Sequence, residues 1–109
     1  MQTNKLLQGW DIRSADAAQW VPWGGGDNAR AKVLGAADGY TITLIEAEAG
    51  YVGSEHEHTY AEFFYLIEGR IRNQGEVINQ GDGYAASAGS VHSDFEVLVP
   101  ARYVIIWRI

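Results

Sequence analysis

Gly50-Tyr51-Val52-Gly53-Ser54-Glu55-His56-Glu57-His58-Thr59-Tyr60-Ala61-Glu62-Phe63-Phe64-Tyr65-Leu66-Ile67-Glu68-Gly69 is the stretch on which the fold turns. Side chains alternate faces along a strand, so His56 and His58 point the same way while Glu55 and Glu57 point outward. A tight Thr59-Tyr60-Ala61 connection lets Glu62 return on the partner strand toward the same space. The remaining histidine, His92, lies far along the chain in Gly81-Asp82-Gly83-Tyr84-Ala85-Ala86-Ser87-Ala88-Gly89-Ser90-Val91-His92. A lone His-x-His pair is more often exposed or satisfied in a core than a ligand set, so the pair alone does not establish a metal site.

The spacing decides more. Gly50, five residues, His56-x-His58, three residues, Glu62, six residues, Gly69 resembles the first motif of the cupin family. The second motif of that family is matched by Gly81, Gly89 and His92, with Ser87 where proline is usual and Glu96 where asparagine is usual. Neither departure removes a ligand. The resemblance implies an all-β cupin double-stranded β-helix, an RmlC-like jelly-roll barrel, with His56, His58, Glu62 and His92 as metal ligands. Within the family it resembles metal-dependent dioxygenases and the cupin half of zinc anti-sigma factors.

A chain of 109 residues, 47% of them apolar, supports one core and no second one. We expect a single domain over 1–109, with residues 1–28 as an N-terminal strap and loop and 29–109 as the barrel. The balance of 14 acidic against 8 basic residues, net −6, argues against a nucleic-acid or anionic-membrane partner, which would require clustered Lys and Arg. Cysteine is absent, no stretch reaches membrane-spanning length, and the opening residues lack a signal-peptide core, so the expected location is the cytoplasm.

Along the chain, Trp10, Trp20 and Trp23 suggest a strap over a barrel opening or against a second subunit, with one helical turn started by Ser14. Asp38-Gly39 and Asn73-Gln74-Gly75 read as hairpin turns. Glu62–Arg72, Glu76–Asn79 and Val91–Val99 read as strands, the last ended by Pro100, which cannot donate to a ladder. The closing run Tyr103-Val104-Ile105-Ile106-Trp107 is apolar at consecutive positions, so both its faces call for cover. With the tryptophan-rich opening, this predicts a homodimer joined through terminal strands.

Three imidazoles and a carboxylate suit one divalent first-row metal and leave positions open for water, oxygen or substrate. Iron(II) is the favoured ion, with manganese, nickel, zinc and copper as alternatives. On the parity of β-structure, Phe64 and Leu66 follow Glu62 onto a cavity wall, and Glu96 follows His92. Asp94 shares that parity. Glu96 is then either an acid/base group or a partner to a ligand imidazole. Arg30, with Lys32 on the same face, is a candidate anchor for an anionic group, against a solvated face as the alternative. The expected partner is a small carbonyl compound. The activity is read as iron(II) dioxygenase chemistry, a redox-neutral isomerase, cyclase or lyase with Glu96 as acid/base, or non-catalytic sensing of a metal or ligand.

Overall fold

The structure is a computed structural model, and it describes residues 7–108. The first six residues of the expected strap and Ile109 lie outside the described residues. Among the described residues nine strands follow one another: β1 (Val21–Pro22), β2 (Ala29–Ala37), β3 (Tyr40–Ala47), β4 (His56–Glu57), β5 (Glu62–Asn73), β6 (Glu76–Asn79), β7 (Gly83–Ala86), β8 (Val91–His92) and β9 (Phe95–Arg108). Seven of them form one antiparallel sheet in the order β1-β2-β3-β9-β5-β6, with β7 added along the first half of β5. The other two, β4 and β8, pair only with each other and set His56 directly opposite His92. This is the cupin jelly roll. Among the described residues, no helix is long and apolar enough to cross a membrane.

Both hairpin turns form as the sequence dictates. Asp38 and Gly39 have φ of 53° and 82°, and Gln74 and Gly75 have 53° and 79°, the left-handed pair that lets a two-residue turn match the strand twist. The long strands β5 and β9 pair in two regular stretches, Phe63–Leu66 against Tyr103–Ile106 and Ile71–Asn73 against Phe95–Val97, with register shifts around Glu68 and Arg70 between the two. Gly69 sits between them at φ +98°, where a Cβ would lie 2.4 Å from the Pro100 carbonyl oxygen. Only glycine fits that crossing.

The closing segment corrects two expectations. Pro100 does not end a strand: β9 runs through it, because it falls just past the last β3 partner and opposite the β5 irregularity, where no ladder hydrogen bond is lost. The expected strand Val91–Val99 is instead broken at Ser93-Asp94. The Gln74 side chain, from the β5–β6 turn, causes the break. Its Oε1 accepts from the Ser93 and Asp94 amides at 2.8 and 3.2 Å, and its Nε2 donates to the Val91 carbonyl at 3.1 Å. The Asp94 carboxylate in turn accepts from the Gly75 amide and from Arg72.

The core is drawn from the inner faces of β3, β5 and β9, with Ile45, Leu66, Ile71 and Val97 fully buried. The strap runs beside the edge strand β2: Val21 pairs with Ala31, and the Asp11 carboxylate accepts from the Ala36 amide. Ser14 does start a single turn, its carbonyl accepting from Ala18 at 3.0 Å. Trp10 and Ile12 stay exposed, Trp20 lies under Arg30 and Lys32, and Trp23 reaches inward to meet Trp107 edge-on at 5.7 Å.

Candidate metal centre and its cavity

His56 from β4, His58 just after it and His92 from β8 meet with ring centroids 4.9 to 5.4 Å apart. Each offers one nitrogen, and the three nitrogens lie within 4.8 Å of one another. The outer nitrogens show which tautomer each ring adopts. His56 Nδ1 lies 2.9 Å from the Ser54 carbonyl, which can only accept, so Nδ1 carries the proton. The Ser90 hydroxyl donates to the Ser87 carbonyl at 2.6 Å and therefore accepts from His58 Nδ1 at 3.0 Å. His92 Nε2 donates to Asn73 Oδ1 at 2.6 Å. All three inner nitrogens are left as lone pairs.

Two of those lone pairs, His58 Nε2 and His92 Nδ1, are buried with no hydrogen-bond partner. An orphaned buried acceptor costs about 1–3 kcal/mol, so their convergence with the His56 nitrogen fits a cation and is otherwise unfavourable. Burial, then the neighbouring His56 and His58, push the His92 pKa down to about 4, which keeps its lone pair free at neutral pH. Glu62, buried on β5, brings Oε1 to 3.7 Å from His58 Nε2. Its Oε2 accepts from the Tyr84 hydroxyl at 3.2 Å. Burial and that carboxylate hold the Tyr84 pKa well above the ordinary phenol value, so Tyr84 remains a donor.

A cavity of about 270 Å³ opens beside His56, His92 and Glu62. Phe64 stands on its wall, stacked on Tyr84 at 4.6 Å, whereas Leu66, on the same face, is fully buried in the core below and does not line it. Parity along β5 therefore held for both residues, and depth separated them. Of the remaining rings on the wall, Trp23 was expected in the strap and Tyr103 and Trp107 in the closing run, while Tyr51 and Phe95 carried no expectation. For β9 the signal was present in the alternation Tyr103-x-Ile105-x-Trp107; for Asn73 and Ser90, which fix the rings, there was none.

Glu96 and Arg30 are not brought to the histidines. The parity argument from His92 to Glu96 assumed one unbroken strand, and the break at Ser93-Asp94 inverts it. Phe95 and Val97 turn inward, while Glu96 accepts from Arg72 at 3.0 Å on the other face. Asp94 is likewise turned to Arg72, whose guanidinium holds its carboxyl below the ordinary carboxylate range. Arg30 donates to Glu46, which it shares with Arg102, and stacks on Trp20 at 4.1 Å. It lines a separate, shallow groove of about 510 Å³ that contains no histidine.

The sequence matches the model of the ChrR cupin-like domain over residues 11–106. The chain belongs to that family. No protein of curated function matches the sequence significantly. Among solved structures, it is similar to an RmlC-like cupin from Shewanella frigidimarina, with a TM-score of 0.77 at 17% identity over 89% of this chain and 88% of that one. It is also similar to an acetylacetone dioxygenase from Acinetobacter johnsonii, with a TM-score of 0.76 at 14% identity over 99% of this chain and 76% of that one. A third likeness is to the Rhodobacter sphaeroides complex of SigE with the anti-sigma ChrR, with a TM-score of 0.73 at 18% identity over 87% of this chain. There the match spans 52% of the other chain, about half its length. At these identities the likenesses establish the fold. For this cupin-like domain, activity has to be argued from the site.

Proposed function

We propose that this cupin-like domain is a metal-dependent enzyme in which His56, His58 and His92, with Glu62 beside them, hold one divalent transition metal, and that it is an iron(II) dioxygenase of a small carbonyl compound. The observation that carries the reading is the pair of buried, unpartnered nitrogens on His58 and His92. Bound iron(II) would supply the redox step by which oxygen cleaves such a substrate. The chain's own residues do the rest. Asn73, Ser90 and the Ser54 carbonyl fix the three rings so that the inner nitrogens face one point. Tyr84 holds one carboxylate oxygen of Glu62 and leaves the other toward the histidines. The aromatic wall keeps water from the substrate's apolar end.

Purified protein reloaded with single metals, followed by elemental analysis, tests the site, and oxygen uptake across a panel of β-diketones and hydroxyketones tests the chemistry. Iron-loaded protein should consume oxygen and zinc-loaded protein should not, because zinc has no redox step to offer. Turnover that persists without oxygen and survives zinc would replace this reading with a redox-neutral isomerase, cyclase or lyase. Its acid/base pair would then be sought at Glu62 and Tyr84, since Glu96 faces Arg72.

A second reading is non-catalytic sensing of a metal or ligand, supported by the likeness to the anti-sigma ChrR, whose name the family shares. Tight ligand binding without turnover in either atmosphere would establish it. We also propose a homodimer. Ile42, Phe63, Tyr65, Ile67 and Ile106 form an exposed apolar stripe on the outer face of β3, β9 and β5. Light scattering at micromolar concentration should return twice the monomer mass.

A further inference from the structure

We infer that the cavity takes a small molecule with an uncharged, flat unsaturated body, whose polar atoms are confined to the end that meets His56 and His92. The inference deepens the metal-dependent reading of the same site, and it concerns the opposite end of the cavity, where no metal is needed for it to be tested.

The first argument is the chemistry of the wall. Beyond the histidines and Glu62, the lining is mostly aromatic, with rings from Trp23, Tyr51, Phe64, Tyr84, Phe95, Tyr103 and Trp107, and the aliphatic side chains of Ile45 and Ile105 and the residues Gly24, Gly53 and Ser54 fill in between them. The rings come from separate parts of the chain, the strap, the segment after β3, β5, β7 and β9, and pack against one another at angles: Phe64 is tilted 33° on Tyr103 at 4.9 Å, and Trp23 stands edge-on to Trp107. Rings held by their neighbours keep flat faces and edges presented to the space between them, which a planar guest can meet by stacking or edge contact. A flexible aliphatic guest would fill the same volume but lose more rotamer freedom on binding.

The second argument is charge. The chain has eight Lys and Arg residues; Lys5 lies outside the described residues, and none of the other seven lines this cavity. Arg30 and Arg102 share Glu46, Arg72 holds Asp94 and Glu96, and Arg13 holds Asp11. Arg70 donates to Asn79, Lys32 donates to the Ala15 carbonyl, and Arg108 lies over Tyr60. A carboxylate or phosphate at the aromatic end would lose its hydration with no cation to meet it, and would share the cavity with the Glu62 carboxylate.

The third argument is size. At the packing density of protein interiors, about 0.74, a space of about 270 Å³ accommodates a guest on the order of ten to twelve non-hydrogen atoms, one ring with a short substituent. The exposed members of the lining are Gly24, Ser54 and His56, so a polar head beside His56 can stay near both water and the imidazoles.

Titration calorimetry with acetophenone and 4-acetylbenzoate, the same molecule carrying a tail carboxylate, tests the proposal on metal-free full-length protein. Acetophenone should bind saturably, and 4-acetylbenzoate at least about a hundredfold more weakly, the desolvated carboxylate having no partner. Trp23→Ala should weaken acetophenone about tenfold through loss of a wall ring, and Trp23→Lys should narrow the gap between the two ligands. Comparable binding of both ligands, or tighter binding of phenyltrimethylammonium than of acetophenone, would overturn the uncharged body. No binding of acetophenone would overturn the inference outright, whether or not the protein takes up metal. Acetophenone binding to a protein that takes up no metal would sink the metal reading and leave this one standing.

Discussion

At one end of the cavity three imidazoles are carried by β4, by the residue just after it and by β8, strands of two residues each, and every ring is fixed by a hydrogen bond to its outer nitrogen. At the other end the rings stand on the long strands β5 and β9 and on the strap, fixed by packing against one another. The histidine end is specified atom by atom, because a lone pair has a direction and a buried one must be answered. The aromatic end is specified by volume and shape. A change of a single atom should therefore matter at the first end and be tolerated at the second, and each prediction below strains that contrast.

The largest effect is expected where a lone pair is removed. His58→Ala or His92→Ala should weaken divalent-metal binding more than about a hundredfold, since a ligand is lost and not merely reoriented. Glu62→Ala should cost less than either, and Trp23→Ala should leave metal affinity within about threefold if the two ends are independent. Competition titrations against a chelator of known affinity measure all four. Equal losses in the histidine and tryptophan variants would abolish the distinction between the ends.

Tyr84 belongs to both ends, its ring on the cavity wall against Phe64 and its hydroxyl on Glu62. Tyr84→Phe separates the two roles. Metal affinity should fall about tenfold, as is usual when the partner of a ligand is lost, while acetophenone binding should stay unchanged because the ring remains. A loss of both together would mean that Tyr84 acts by packing alone.

How much of this was legible in the sequence follows the same divide. The spacing from Gly50 to Gly69, with His92 from the second stretch, pointed to the convergence of the three histidines, because the placement of side chains on paired strands is a matter of parity and turn length. The two hairpin turns were legible for the same reason, since Asp-Gly and Gln-Gly report a local backbone requirement. The strand break at Ser93-Asp94 was not, because it depends on the Gln74 side chain, nineteen and twenty residues away. Trp23 was read as part of a strap, but its meeting with Trp107 spans the whole chain and no local pattern encodes it. Depth is equally invisible to parity. Phe64 and Leu66 share a face, yet only one of them reaches the cavity.

Protonation offers a smaller effect, again confined to one end. His92 has its folded pKa pushed down to about 4 from the ordinary 6.5, by burial first and then by its two neighbours. As pH falls below 6.5 the unfolded chain takes up the proton first, so His92 favours unfolding increasingly between 6.5 and 4. Stability of the metal-free protein from this group is thus complete above that window and declines through it. Thermal unfolding from pH 7 to pH 4 should show the decline, and His92→Gln should flatten it. An unchanged slope in the variant would locate the titrating group elsewhere.

The smallest effect is expected at Glu96, and it tests the break in the closing strand. Were the strand continuous from His92, Glu96 would face the imidazoles, and Glu96→Gln would remove a charge from beside the metal. With the break, its carboxylate lies 3.0 Å from Arg72 on the opposite face, and Arg72 keeps Asp94 as a second partner. The pair is about one-third exposed, so loss of one member should move the melting temperature by no more than a few degrees. Metal affinity should stay within about twofold of the parent, and any activity should keep its pH dependence, because the variant changes nothing that touches the cavity. Gln74→Ala provides the complementary perturbation. It removes the acceptor that holds the Ser93 and Asp94 amides, so it should disturb the β8 geometry and weaken metal binding more than Glu96→Gln does, although Gln74 is no nearer the histidines in sequence. A tenfold loss of metal in Glu96→Gln, with Gln74→Ala neutral, would return Glu96 to the site.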